Sequence, residues 1–283
     1  MRCNINDLFS LLDNNNTHNK QKNTMLRESI QKNKYCCSVD LEQPDLFSNY
    51  EENSPFRHYE KEDIDFLSSY FSDSFQKSVF YGGAKILFNL SSEVFDNIIH
   101  AWMSELPVEK EIIAYGRLVF ESSQRHDDFN EKRNAAKRAA NDHGNEDTRI
   151  VLNAAANVYK EIHRMMGLLR FSPVNGIYTA KCAPDHLVIP ALTEYFSSRF
   201  ADTEWVIIDE KRDVCLYRFS GCAKAVFSRC KDMPGFENNI HNDEWEKLWK
   251  HYHKTINNES RKNSKLQRQL MPERYWKYLP EKE

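Results

Sequence analysis

Cations and aromatic rings alternate in Glu244-Trp-Glu-Lys-Leu-Trp-Lys-His-Tyr-His-Lys-Thr-Ile256 and again from Arg261 to Pro280. Between Lys247 and Lys277 stand Lys247, Lys250, Lys254, Arg261, Lys262, Lys265, Arg268, Arg274 and Lys277. Those nine cations meet only Glu259 and Glu273, a net +7 in a chain whose formal charge is −3. Cations neutralise phosphates and release counterions, and flat rings stack on unpaired bases, so the pattern suggests a nucleic-acid surface. The bland alternatives are a solvated basic face and a contact with an acidic protein. Trp245, Leu248, Trp249 and Tyr252 recur at helical spacing, so some of these rings belong to a core. Tyr275, Trp276 and Leu279 read equally as residues that dock a terminal segment.

The most reaction-like set is Glu161, His163, Arg164 and Arg170. His163 and Arg164 could bind a phosphate or act on a flipped nucleotide. On a helix, however, Glu161 and His163 do not point together, and ordinary polar links at a helix end are the simpler reading, with Arg170 paired to Asp185 or Asp209. Pro184-Asp185-His186 precedes a helix whose N-terminus could hold an anion. His186 could act as a general base oriented by Asp185, although a capping Asp is the plainer account. Asp209 and Arg212 flank a hairpin turn, where a structural ion pair is the default. Cys215, Cys222 and Cys230 lack the close pairs of a zinc site, and no tight three-cysteine cluster motif occurs. Phosphate-binding Gly-rich loops and nucleophile elbows are missing as well. No metal and no cofactor are expected.

The elements that carry these residues read as α+β, with helices packed on a small, mainly antiparallel sheet. Residues 1–55 look like a poorly ordered polar leader, with one short helix near Asn4–Leu12. Residues 56–283 read as a single domain: a helical part to 170, a mixed part over 171–230, and a basic helical segment over 243–283. Helical spacing predicts helices over 59–76, after Ser91, after Pro107 and over 148–168. The polar stretch 122–148 is an exposed helix with a loop at Asn141–Asn145, or a connection. Ala84–Leu90 reads as a short strand. Strands are also predicted at Gly176–Cys182, Glu204–Asp209, Val214–Phe219 and Ala223–Ser228, with helices at Pro190–Phe200 and Asp243–Ile256. Seven cysteines without an export signal predict reduced thiols and a cytoplasmic protein. No apolar stretch approaches the roughly 18–20 residues that span a bilayer.

From Glu161-Ile-His-Arg-Met-Met-Gly-Leu-Leu-Arg-Phe171 onward the chain resembles an uncharacterised bacterial family associated with DNA repair and DNA metabolism. The resemblance rests on that segment and on Tyr178-Thr-Ala180, Pro184-Asp-His186 and the helix ending Arg199-Phe200. Trp205, Ile207, Asp209 and Arg212 continue it, and Arg261 to Glu281 carries it almost residue for residue. It runs from about Val79, more weakly before Val151. The resemblance implies a DNA context, a radical S-adenosylmethionine DNA-repair protein as partner, and relatives fused to uracil-DNA glycosylase-type modules. The water-activating and His-Pro-Ser motifs of those glycosylases are absent here, so base excision would belong to the fused module.

Three functions follow as expectations. The first is a DNA-binding accessory factor, with DNA contacted by Arg164, Arg170, Arg261, Lys262, Lys265, Arg268, Arg274, Tyr275, Trp276 and Lys277, and with His163 at a base or a partner. The second is an enzyme on DNA or nucleotides with His163 or His186 as acid-base and Asp185 beside it. The third is a protein-interaction scaffold.

Overall fold

The computed structural model describes residues 59–71, 83–234 and 243–282, together with Ile5 and Leu8. Helix α1 (Lys61–Tyr70) opens on a capping box in which Glu60 and Asp63 bond each other's backbone N–H. α2 (Gly83–Leu90) and α3 (Ser92–Met103) follow, then α4 (Glu109–Gln124), α5 (Phe129–Ala140) and α6 (Glu146–Leu168). The last two begin where capping side chains stand: Asp128 accepts from Asn130 and Glu131 N–H at 2.8 and 3.0 Å, and Asn145 accepts from Thr148 N–H at 2.9 Å. The polar stretch around 122–148 is thus the end of α4, all of α5 and a loop at 141–145.

The sheet is made of β1 (Ser172–Val174), β2 (Ile177–Cys182), β3 (Trp205–Asp209), β4 (Val214–Arg218) and β5 (Val226–Arg229), in that spatial order. All neighbours are antiparallel except β2 and β3. A parallel pair needs a crossover, here a 3-10 turn at Ile189–Leu192 and α7 (Thr193–Phe200). A two-residue Asn175-Gly176 turn with positive φ at both positions, 50° and 86°, joins β1 to β2. Such angles match the twist of a hairpin and suit Asn-Gly. β1 itself has no counterpart in the sequence reading: three residues, one of them Pro173, give no period-2 signal.

Alternation divides the buried strands between two cores. Trp205 and Ile207 face the helices, with Ala180, Val214, Leu216 and Phe227. Val206 and Ile208 face the other side, with Cys215, Tyr217, Cys230 and Met233. The larger core is continuous from Ile5 and Leu8 through α3, α4 and α6 to Tyr275. Ile5 and Leu8 are helical and fully buried, with Ile5 N–H on Asp63 Oδ1 at 2.8 Å. The rest of the expected leader lies outside the described residues, as do positions 72–76 of the first predicted helix.

One element is corrected. Residues 83–90 form a helix, not a strand. Leu87 and Leu90 are buried three residues apart, on one helical face against the core. A run as short as Ile86-Leu-Phe-Asn-Leu90 fits either period, and packing decides it. Among the described residues, Cys182, Cys215, Cys222 and Cys230 are free thiols. Among the described residues no helix is long and apolar enough to cross a membrane.

Phe196 on α7 is 2% exposed and touches the rings of Phe171, Tyr195, Phe200 and Trp205. It ties the crossover to the sheet. Phe196→Ala should cost about 3–5 kcal/mol, read as a lowered midpoint in chemical denaturation.

Candidate functional site

The reaction-like residues meet at the loop after β2. Glu161, near the end of α6, is 1% exposed. Its Oε1 accepts the Asp185 N–H at 2.8 Å and its Oε2 the His186 N–H at 2.8 Å. The Tyr275 hydroxyl donates to the same Oε1 from the C-terminal 3-10 segment Glu273–Tyr278. A buried carboxylate is tolerable only when donors surround it, and here three do.

Arg212, in the β3–β4 turn, holds the other side of the loop. Its guanidinium donates to Asp185 O at 2.6 Å, Pro184 O at 3.1 Å, Asp209 Oδ2 at 2.6 Å and Glu105 Oε1 at 2.7 Å. Lys211 Nζ adds a bond to Asp185 O at 3.0 Å, and Tyr59 Oη donates to Glu105 Oε1 at 2.6 Å. The side chains of Arg212 and Asp209 are 2% and 0% exposed. Burial works against the Arg212 charge, but Asp209 and Glu105 more than reverse this and hold its pKa above the ordinary value. Burial also raises the Asp209 carboxyl, against the pull of Arg212 and the Lys211 N–H. The loop is therefore gripped by its N–H groups through Glu161 and by its carbonyls through Arg212 and Lys211.

This arrangement fixes the roles of Asp185 and His186. The Asp185 carboxylate points outward to Arg274 at 2.7 Å and does not orient the neighbouring imidazole. His186 Nδ1 lies against Ser104 O instead. A carbonyl only accepts, so Nδ1 is the donor there. His163 is exposed and sits two residues beyond Glu161, about 200° round α6 at roughly 100° per residue. Since Glu161 faces the loop, His163 faces away from it, and the two histidines do not converge. Arg164 is half-buried on the same helix. Among the described residues no group of three or more His, Cys, Asp or Glu is placed to hold a metal ion.

A second clamp docks the C-terminal segment. Arg170 Nη2 and Nε bond Glu281 Oε1 at 2.6 and 3.2 Å, and Trp249 Nε1 bonds Glu281 Oε2 at 2.8 Å. The Arg170 guanidinium lies 5.3 Å from the centre of the Trp249 ring. Arg170 thus pairs with Glu281, not with Asp185 or Asp209 as the simple reading expected. Tyr278 Oη reaches Glu210 at 2.9 Å.

The ten residues assigned to DNA consequently separate. Tyr275 is 2% exposed and spent on Glu161, so as placed it offers no face to a base. Burial, and then the Glu161 charge, hold its phenol well above the ordinary pKa, which keeps it a donor. Arg170 and Arg274 are committed to carboxylates, and Trp276 is half-buried with its N–H on Met271 O at 3.0 Å. Lys277 lies over the Tyr278 ring, and Arg268 pairs with Glu273 at 2.7 Å with both side chains largely in solvent. Arg261, Lys262 and Lys265 are exposed.

Those three belong to an arm of two helices, α8 (Asp243–Ile256) and α9 (Ser264–Leu270). Leu248, Tyr252 and Ile256 repeat every four residues along α8 and are all more than half exposed. Trp249 stands beside Tyr252, with centroids 5.7 Å apart. Leu266 and Leu270 repeat the spacing on α9 and are also exposed. The sequence reading missed Glu105, Tyr59 and Glu281. Lone acids distant in sequence give no sign of a buried partner, although Glu281 closes the basic motif.

A family model described as a domain of unknown function (DUF4130) matches residues 126–281, more than half of the chain, and the chain belongs to that family. The match contains α5, α6, the sheet, the arm and both clamps apart from Glu105 and Tyr59. No curated protein and no solved structure matches the chain.

Removing Glu161 leaves two loop N–H groups and a phenol unpaired inside the protein. Glu161→Ala should cost about 3 kcal/mol or more and speed hydrogen exchange at Asp185 and His186, while Tyr275→Phe should cost about 1–2 kcal/mol. The second clamp is sensitive to acid. Burial works to raise the Glu281 carboxyl, but Arg170, a backbone N–H and the Trp249 N–H together hold it below its ordinary value of 4.5. A depressed carboxyl contributes stability that is full above pH 4.5 and is lost as pH falls through the lower folded value. Hydrogen exchange over residues 273–282 should accelerate in that acid window, and Glu281→Gln should show the acceleration already at neutral pH.

Proposed function

We propose that this DUF4130 protein is a DNA-binding accessory factor in DNA repair or DNA metabolism, working beside a radical S-adenosylmethionine protein. The observation that carries the reading is the surface of the α8–α9 arm. From Lys247 to Arg268 it holds seven cations against a single acid, Glu259. The exposed Tyr252 ring and the partly exposed Trp249 ring stand among them. Such a surface can follow a phosphate backbone while rings stack on unpaired bases, which favours single strands. The DNA-repair context and the partner come from the resemblance of Glu161–Phe171 and Arg261–Glu281 to the bacterial family described above.

The loop at Pro184–His186 supports a positioning role better than a catalytic one. Its backbone groups and the side chains of Glu161, Asp209 and Arg212 are bonded to one another. The second reading, a protein-interaction scaffold, is favoured by one feature: Leu248, Ile256, Leu266 and Leu270 are exposed aliphatic side chains that a nucleic acid has little use for. Leu248 and Ile256 share one face of α8, and Leu266 and Leu270 one face of α9; aligned exposed apolar groups mark a protein contact. The two readings divide the arm between rings with cations and aliphatic residues.

Truncating the chain at the arm is a poor test, because it also removes Tyr275 from Glu161 and Glu281 from Arg170. Substitution of exposed cations avoids this. Lys254→Ala/Arg261→Ala/Lys265→Ala should weaken binding to fluorescent single- and double-stranded DNA. It should also flatten the slope of log K against log salt by about 1 for each cation that contacts a phosphate. Wild-type affinity that does not change from low to high salt, or a triple variant that binds as tightly as wild type, defeats the DNA reading. Loss of partner capture in Leu248→Asp/Leu266→Asp, with DNA binding intact, would place the scaffold role on the same arm.

A further inference from the structure

We infer that the cleft between α4 and α5 is a binding site for a phosphate group, carried either by a mononucleotide or by a nucleic-acid strand. The inference does not rest on the arm, since the cleft is built from other elements. α4 contributes Leu118 and Ser122, four residues apart on one helical face, and its C-cap adds Arg125. α5 answers with Ala135, Arg138 and Ala139 on one face, and the turn after it adds Asp142.

The space has a sequence cause. Ala135 and Ala139 stand one turn apart opposite Leu118, and two methyl groups leave unfilled what larger side chains would occupy. The result is an open cleft of about 490 Å³ with an apolar floor and a polar rim. That volume lies within the roughly 300–1,000 Å³ of small-molecule sites.

The rim selects an anion. Arg125 and Arg138 both border the cleft, and neither guanidinium has a hydrogen bond or ion pair among the described residues. Neighbouring arginines are engaged: Arg133 reaches Leu90 O at 3.4 Å and lies over the Phe129 ring, and Arg149 pairs with Glu146. His126 also borders the cleft and pairs with Glu131 at 3.4 Å. The one carboxylate on the rim, Asp142, accepts the Gly144 N–H at 3.0 Å, so it is committed to the turn after α5. Two free guanidiniums, planar forks of donors, and the Ser122 hydroxyl match the several acceptor oxygens of a tetrahedral phosphate better than a point charge would. The floor of Leu118, Ala135 and Ala139 suits the flat apolar body of a base. An apolar floor beneath a cationic rim is the composition a nucleotide needs.

The test uses the full chain with AMP, adenosine and inorganic phosphate in isothermal titration calorimetry, beside an oligonucleotide without terminal phosphates. AMP should bind, adenosine should not, and Arg125→Ala/Arg138→Ala should weaken AMP by at least ~10-fold. Should AMP fail while the oligonucleotide loses affinity by the same factor in that variant, the phosphate comes from a strand and the site stands. Ala139→Leu fills the floor and keeps both arginines, so it should block AMP with the fold intact by circular dichroism. Adenosine binding as tightly as AMP, no binding by any probe, or indifference of both probes to Arg125→Ala/Arg138→Ala overturns the inference. The Lys254→Ala/Arg261→Ala/Lys265→Ala variant should bind AMP as wild type does, which separates failure of the cleft from failure of the arm.

Discussion

The carboxylate of Glu161 decides how the two halves of the protein meet. A loop and a distant terminal segment converge on one buried carboxylate carried by a helix: the loop supplies two N–H donors and the segment a hydroxyl. Desolvating a carboxylate is costly unless its lone pairs are filled, so the three donors and the acid depend on one another. Arg212 completes the arrangement from the sheet by holding the loop carbonyls. Together they turn a six-residue excursion after β2 into the joint between helices and sheet.

This joint accounts for the division of labour among the basic residues. Cations near it, Arg170, Arg212 and Arg274, are drawn into pairs with Glu281, Asp209 and Asp185. They act in the fold. Cations on the arm stand in solvent, beside apolar side chains that the body does not cover. Proximity in sequence hid this difference: Arg268 and Arg274 lie six positions apart, yet one pairs at the surface and the other closes over the loop.

Much of the architecture was legible because helices here carry strong local signals. Ser91 and Pro107 stand just ahead of helix starts, and α6 and α8 show clear apolar periods. The strands Ile177–Cys182, Trp205–Asp209 and Val214–Arg218 stand out as branched and aromatic runs between turns. Ala84–Leu90 reads as a strand because so short an apolar run cannot display a period, and β1, three residues around Pro173, gives no period-2 signal. The candidate site was legible in composition and not in geometry. Glu161, Asp185, His186 and Arg212 could be named from the chain, but their joining across 24 to 51 residues depends on tertiary packing that no spacing records. Glu105 carried no local sign, and Glu281 only its place at the end of the basic motif.

The short strand β1 has a consequence for how this protein behaves among its own copies. Sheet edges are templates on which further strands can add, in growth that ends in aggregates. Here the outer strand has three residues, and its central one, Pro173, has no N–H to offer a neighbour. The opposite edge, β5, lies against α1, where Arg229 reaches Tyr59 O and the Phe227 N–H meets Ser68 Oγ. One edge is blunted chemically and the other covered. The sheet is therefore a poor template for a further strand on both sides, and the apolar arm, whose helix α8 lies against β1, sits beside an edge that cannot nucleate fibrous association.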